Sequence, residues 1–183
     1  MTQKYVAFLR GINVGGKHKM PMKDLTRIVE NVGCRNVSTY IQSGNVLFSA
    51  SPALAKRAPR LIQTAIVQRL GIEVPVVMRS ATELEQVLRN NPFLGKTRET
   101  HRLYVAFLAT TPTRTQITAL DAQLSAPDQF NVVGDTIFLS LQNGVARTKL
   151  TNKYFDAKLT TTSTLRNWNT VQKLVELTTT TTE

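Results

Sequence analysis

A five-residue segment occurs twice in this 183-residue chain, and the repeat constrains the fold more than any other feature. Tyr5-Val-Ala-Phe-Leu9 returns as Tyr104-Val-Ala-Phe-Leu108. Two further segments return in the same order. They are Gly44-Asn-Val-Leu-Phe48, similar to Gly134-Asp-Thr-Ile-Phe138, and Met78-Arg-Ser80, similar to Leu165-Arg-Asn167. Because self-similarity in a fixed order indicates repeated structure, the sequence predicts two copies of one structural unit.

The first half of the chain has the residue pattern of a β-α-β-β-α-β unit followed by an extra helix. The predicted elements are strand 4–10, helix 22–32, strand 36–41, strand 46–50, helix 53–70, strand 73–79 and helix 81–90. Pro75 places its strand at a sheet edge, because proline cannot donate a hydrogen bond to a neighbouring strand. Ser80 and Glu83 predict a capping box that opens helix 81–90.

The second half repeats this order of elements. They are strand 103–109, helix 113–125, strand 129–133, strand 136–141, helix 149–158, strand 160–166 and helix 168–177, the last capped by Asn167. We therefore predict an α+β protein built by tandem duplication of a ferredoxin-like βαββαβ unit, each copy with an appended C-terminal helix. The predicted domains are residues 1–91 and 92–183. The sequence leaves open whether the two sheets pair back to back or edge to edge.

The two copies differ most in the connection between the first strand and the first helix. Leu9 and Pro21 are 12 positions apart, whereas Leu108 and Pro112 are 4 apart, so the first copy carries an eight-residue insertion within residues 10–20. Glycines let backbone N–H groups point at an anion, and lysines add positive charge. The insertion predicts an anion-binding loop, formed by Arg10, Gly11, Asn13, Gly15, Gly16, Lys17 and Lys19. The alternative is a solvated surface loop.

The same loop partly matches the phosphate-binding motif of nucleotide hydrolases. Gly11 and Gly16-Lys17 have the required spacing, but His18 stands where that motif needs the hydroxyl of Ser or Thr for magnesium. Pro21 also predicts a helix that begins about four residues later than the motif requires. Both departures argue against hydrolysis of ATP or GTP.

Two other groups of residues are candidates for binding a ligand. Ser43-Gly44-Asn45 offers a hydroxyl, a bare backbone and an amide, although hairpin turns favour the same residue types. Arg166-Asn167-Trp168 offers a guanidinium for a phosphate and a ring for a base. The alternative for this second group is a helix cap beside a packed tryptophan.

Four segments resemble a known bacterial family. They are Phe8-Leu-Arg-Gly-Ile-Asn-Val-Gly-Gly-Lys17, Met20-Pro-Met22, Tyr40-Ile-Gln-Ser-Gly-Asn-Val-Leu-Phe48 and Arg166-Asn-Trp-Asn-Thr-Val-Gln-Lys173. Together they resemble the family called domain of unknown function 1697. The resemblance implies a ferredoxin-like α+β fold with duplication, in agreement with the repeats, and implies no established activity.

The charge of the chain indicates an anionic partner. The formal net charge is +11, and residues 1–79 contain 12 basic and 3 acidic side chains. Such an excess favours nucleic acid or a phosphorylated small molecule. Two other functions stay open: a small-molecule enzyme or sensor with a phosphate or carboxylate site, and a self-associating scaffold, for example a homodimer formed through exposed sheet edges.

Several other classes of protein are disfavoured. No apolar run is long enough for a membrane span or a signal peptide, so we expect a cytoplasmic protein without a membrane partner. Cys34 is the only cysteine, and His18 and His101 are the only histidines, which excludes an internal disulfide and argues against a metal site. We predict no cofactor. The sequence does not decide whether the protein is an enzyme.

Overall fold

A computed structural model of the chain describes residues 1–15, 19–95 and 99–179. Two compact units make up the chain. One consists of Met1–Leu84 and the C-terminal segment that begins at Leu174, and the other of Glu85–Lys173. The division falls inside two helices, α4 (Ala81–Asn90) and α7 (Trp168–Thr179).

The first unit contains a four-stranded antiparallel sheet with helices on one face. Its elements before α4 are β1 (Gln3–Leu9), α1 (Met22–Asn31), β2 (Arg35–Tyr40), β3 (Asn45–Ala50), α2 (Pro52–Ala55), α3 (Ala58–Leu70) and β4 (Val76–Ser80). The strand order is β2-β3-β1-β4, which puts the repeated segment Tyr5–Leu9 on a central strand. β4 is an edge strand that begins directly after Pro75, so the edge prediction is confirmed.

The core of the first unit lies between this sheet and the helices. Alternate residues of β1, namely Tyr5, Ala7 and Leu9, pack with Leu25 of α1 and Ile62 of α3. Side chains on the other face of the sheet are buried as well, since Val6 and Phe8 have no exposed surface. Both faces of the central strand are therefore closed to solvent.

The second unit has a sheet of the same strand order, β6-β7-β5-β8, again antiparallel throughout. Its elements between α4 and α7 are β5 (Leu103–Leu108), α5 (Arg114–Thr118), β6 (Gln129–Val133), β7 (Thr136–Ser140), α6 (Asn152–Leu159) and β8 (Ser163–Asn167). Ala106 and Leu108 of the central strand pack with Phe155 and Leu159 of α6. The prediction of an α+β protein is thus confirmed as two four-stranded antiparallel sheets with helices.

Two predicted helices are wrong in extent. Helix 53–70 is interrupted between α2 and α3, because the ring of Pro59 cannot donate to the carbonyl of Ala55 and would collide with it. Helix 113–125 is reduced to α5 (Arg114–Thr118). The chain leaves the helix because Asp121 bonds outside it: its N–H donates to Tyr154 Oη at 2.7 Å, and its Oδ1 accepts from Gln123 N at 2.8 Å.

Both helix caps that the sequence predicts are present. Ser80 N donates to Glu83 Oε2 at 2.6 Å and Glu83 N donates to Ser80 Oγ at 3.2 Å, which is the capping box of α4. Asn167 Oδ1 accepts from Asn169 N at 3.0 Å in the first turn of α7. None of the helices within the described residues is both long and apolar enough to cross a membrane.

Candidate functional site

The glycine-rich loop follows β1, where two backbone hydrogen bonds hold the chain, and two of its side chains are buried in the core. Leu9 N donates to Gly44 O at 2.8 Å, and Arg10 N donates to Pro75 O at 3.0 Å. Ile12 and Met20 are 1% and 2% exposed and belong to the hydrophobic core of the first unit. The loop is therefore held at both ends by buried apolar side chains.

Asn13 closes the loop between these two anchors. Its Nδ2 donates to Met20 O at 3.0 Å and to Gln42 O at 3.1 Å, and its Oδ1 accepts from Met20 N at 2.8 Å. Both amide hydrogens are used, and the backbone lies in the left-handed region with φ 55°, which asparagine tolerates better than most residues. The side chain predicted to bind a ligand thus acts as a clamp that joins the two ends of the loop.

The turn at residues 43–45 lies directly against the base of the loop. Gly44 has φ 77°, and a Cβ built on it would lie 2.9 Å from both Cβ and O of Leu9 and 3.0 Å from Cδ1 of Ile12. Asn45 is fully buried, and its Nδ2 donates to Ser43 Oγ at 2.9 Å and to Tyr40 O at 3.3 Å. Two segments that the sequence treats as separate candidates are therefore one structural feature, in which the turn supports the loop.

A surface pocket of about 440 Å³ opens beside the clamp. Its lining residues are Asn13, Lys19, Met20, Pro21, Met22 and Gln42. Lys19 is exposed and lines this pocket together with Met22, the first residue of α1, so a cationic residue and the positive end of a helix dipole lie beside the same space. This arrangement is suited to a small anion. Gly11 and Gly15, with φ 77° and 58°, belong to the loop, and the predicted residues Gly16 and Lys17 lie outside the described residues.

Sequence reasoning missed four residues of this pocket, Met20, Pro21, Met22 and Gln42. Gln42 contributes its carbonyl to the clamp, and Met22 lines the wall as the first residue of α1. All four lie in motifs quoted for the family resemblance, Met20-Pro-Met22 and Tyr40–Phe48. The family motifs therefore contained these residues. The role of Gln42 could not be predicted from its residue type, because the clamp uses its backbone carbonyl, which every residue has.

The third candidate group belongs to the second unit, where each side chain has a structural position. Arg166 Nη1 donates to Thr164 Oγ1 and Leu165 O, both at 2.9 Å, and burial lowers the pKa of its guanidinium to about 10. Asn167 caps α7 and also donates from Nδ2 to His101 O at 3.1 Å. Trp168 is 1% exposed, so its ring offers no free face on which a base could stack.

The described residues contain no group of three His, Cys, Asp or Glu side chains placed to hold a metal ion. Cys34 is buried, and burial raises the pKa of its thiol to about 11, so the sulfur is protonated at neutral pH. A protonated, buried thiol is a poor nucleophile and a poor metal ligand. Cys34 therefore has the properties of a core residue.

Comparison with known proteins bears directly on the family. No curated protein matches the chain. Among solved structures, the conserved bacterial protein SP0830 from Streptococcus pneumoniae is similar, with a TM-score of 0.76, 24% identity, and coverage of 97% of this chain and 99% of that one. At this identity the similarity shows the fold alone. A family model described as protein of unknown function (DUF1697) matches residues 1–138, which is most of the chain. The motif resemblance is therefore confirmed, and the chain belongs to the DUF1697 family of proteins of unknown function.

Proposed function

We propose that the protein binds an anionic ligand, a phosphorylated small molecule or a nucleic acid, at the glycine-rich loop of the first unit. The observation that carries the proposal is the pocket beside Asn13, which is lined by exposed Lys19 and by Met22 at the N-terminal end of α1. The net charge of +11 on the chain adds a field that concentrates anions. The clamp by Asn13 supports the proposal because it fixes Met20 and Gln42 at the wall of the pocket, and a wall fixed in advance loses less entropy when a ligand binds.

Thermal denaturation with a panel of phosphate compounds tests this proposal. Inorganic phosphate, pyrophosphate and nucleoside mono-, di- and triphosphates are added to the full chain. A ligand present at about 100 times its Kd stabilises the folded state by about 2.7 kcal/mol, and for a protein of this size each kcal/mol corresponds to about 2–4 °C in Tm. Lys17→Ala/Lys19→Ala should lose the shift, whereas Lys153→Ala/Lys158→Ala, with the same loss of charge on α6, should keep it. A panel that leaves Tm unchanged would contradict a phosphorylated small molecule as the ligand of the loop.

We also propose that the two sheets descend from one ferredoxin-like βαββαβ unit by tandem duplication. Two observations support this origin: the strand orders correspond, and the repeated segments occupy the same register. Val6 pairs with Arg79 in the first sheet, and Val105 pairs with Arg166 in the second. The boundary of the domains near residue 91 and the cytoplasmic location stay predictions.

A self-associating scaffold is the second candidate function, and β6 favours it. β6 is an edge strand with regular register and no charged residues. The corresponding edge strand of the first sheet, β2, contains Arg35 and has a shift of register between Arg35 and Ser38. Uncharged regular edges are open to pairing with another strand. A dimer that Asn131→Lys converts to a monomer in light scattering would support this function, and a monomeric wild type at micromolar concentration would contradict it.

A further inference from the structure

The helices of the first unit present a strongly basic surface to solvent. Its cations lie on α1 and on the α2–α3 segment, and all of them are exposed; we call this surface the basic helical face. It consists of Lys23, Arg27, Lys56, Arg57, Arg60 and Arg69. None of these residues lines the pocket at the glycine-rich loop, so the face is a separate surface.

Among the described residues, most of these cations form no ion pair, although the exposed carboxylate of Glu30 lies on α1 three positions after Arg27. Asp24 Oδ1 lies 3.3 Å from Arg69 Nη2, which forms one exposed ion pair. Within the described part of the chain, no carboxylate lies within 4 Å of the other five cations. Like charges that remain uncompensated repel one another and attract an external anion. The face thus has the electrostatics of a docking surface for a polyanion.

The dimensions of the face fit an extended partner better than a small ligand. The ion pair joins the first turn of α1 to the last turn of α3, so the two helices run antiparallel and side by side. α3 has 13 residues and is therefore about 20 Å long, at 1.5 Å per residue. Double-stranded DNA carries one charge per about 1.7 Å of its axis with both strands counted, so this length of duplex contains about a dozen phosphates, of which about half lie on any one side.

The composition of the face favours a double helix over a single strand. Residues 22–31 and 52–70 contain no aromatic side chain, whereas single-stranded nucleic acid is bound by stacking bases on aromatic rings. Ferredoxin-like RNA-binding domains stack bases on the central strands of the sheet, and here the central-strand residues Val6 and Phe8 on the face away from the helices are fully buried. Contact is thereby limited to cations and phosphates.

We propose that the basic helical face docks on the phosphate backbone of double-stranded DNA without reading its sequence. This inference names a partner for the proposed anion binding. It rests on that proposal because both assume that the positive charge of the first unit serves to bind an anion. It differs in assigning the partner to the outer face of the helices instead of the loop. Affinity should depend steeply on salt and weakly on base sequence.

Fluorescence anisotropy with a labelled duplex of about 25 base pairs tests the inference between about 50 and 200 mM salt. Five phosphate contacts predict a slope of log K against log salt of about −4.5, or a loss of about 500-fold over this range. Lys23→Ala/Arg27→Ala and Arg57→Ala/Arg60→Ala should each make the slope shallower by about 1.8 and weaken binding at least about tenfold at low salt. The matched control, Lys153→Ala/Lys158→Ala on α6 of the second unit, should leave both values unchanged.

The outcomes separate this inference from the function proposed for the loop. If Lys17→Ala/Lys19→Ala retains DNA binding, the helical face is supported even where phosphate compounds fail to stabilise the protein. No binding at low salt, or an equal loss in the α6 control, would overturn the inference. Tighter binding of a single strand or of an RNA duplex would also overturn it, because the face would then have been assigned the wrong partner.

Discussion

Replacing Gly44 by alanine should destabilise the protein well beyond the cost of its backbone conformation. An L-residue at φ 77° costs about 1–2 kcal/mol relative to glycine. The added Cβ would also lie 2.9 Å from Cβ and O of Leu9, which belongs to a central strand and cannot move aside as a flexible side chain can. Such overpacking costs a further 1–3 kcal/mol, so we expect a total of about 2–5 kcal/mol.

Gly71→Ala is the matched control for this substitution. Gly71 ends α3 at φ 67°, and nothing lies within 4 Å of a Cβ built there, so alanine meets the backbone cost without the collision. The difference in unfolding free energy between the two variants therefore isolates the contact of the turn with the loop. Chemical denaturation followed by circular dichroism measures it. Equal destabilisation by both substitutions would show that the turn does not support the base of the loop in the way described.

Three further predictions concern side chains with defined partners. Asn13→Ala removes three hydrogen bonds and should cost about 2–4 kcal/mol in thermal denaturation, and Asn13→Asp, which keeps the acceptor for Met20 N but sets a carboxylate oxygen against Met20 O and Gln42 O, should cost at least as much. Cys34, with its raised thiol pKa of about 11, should react with a disulfide reagent at pH 7.5 no faster than the protein unfolds; rapid reaction would contradict its burial. Burial raises the pKa of Asp128, but hydrogen bonds from Asn143, Thr148 and Ser125 outweigh it and hold the pKa below its usual value. The stability that its carboxylate contributes is therefore present above the ordinary pKa of about 3.9 and lost as the pH falls through the lower folded value, and Asp128→Asn should flatten that loss in acid denaturation.

Local patterns in the sequence predict most elements of the fold because each is determined by nearby residues. The partners in the capping box of Ser80 and Glu83 and in the cap by Asn167 are at most three positions apart, and the sequence predicts both correctly. The interruption before Pro59 is also local, yet the apolar spacing of helix 53–70 concealed it. The early end of α5 depends on Tyr154 Oη, 33 residues away along the chain, and no local pattern contains that contact.

The candidate site shows a different limit of sequence reasoning. An asparagine in a glycine-rich loop has the chemistry to bind a ligand or to bind the loop itself, and only the position of Met20 and Gln42 decides between them. The same holds for Trp168, whose residue type suits stacking on a base but whose ring is buried. The type of a residue determines which bonds its side chain is able to form, and the fold determines which partner is within reach.

The first unit is formed by two segments that are far apart along the chain, and this affects when it can fold during synthesis. Its compact structure includes residues from Leu174 onward, although the rest of it ends at Leu84. At a synthesis rate of about 5–20 residues per second, the ribosome needs about 5–20 seconds to add the intervening segment of roughly ninety residues. During that interval the nascent N-terminal unit lacks part of its own structure. The part of the protein that is translated first is thus completed last.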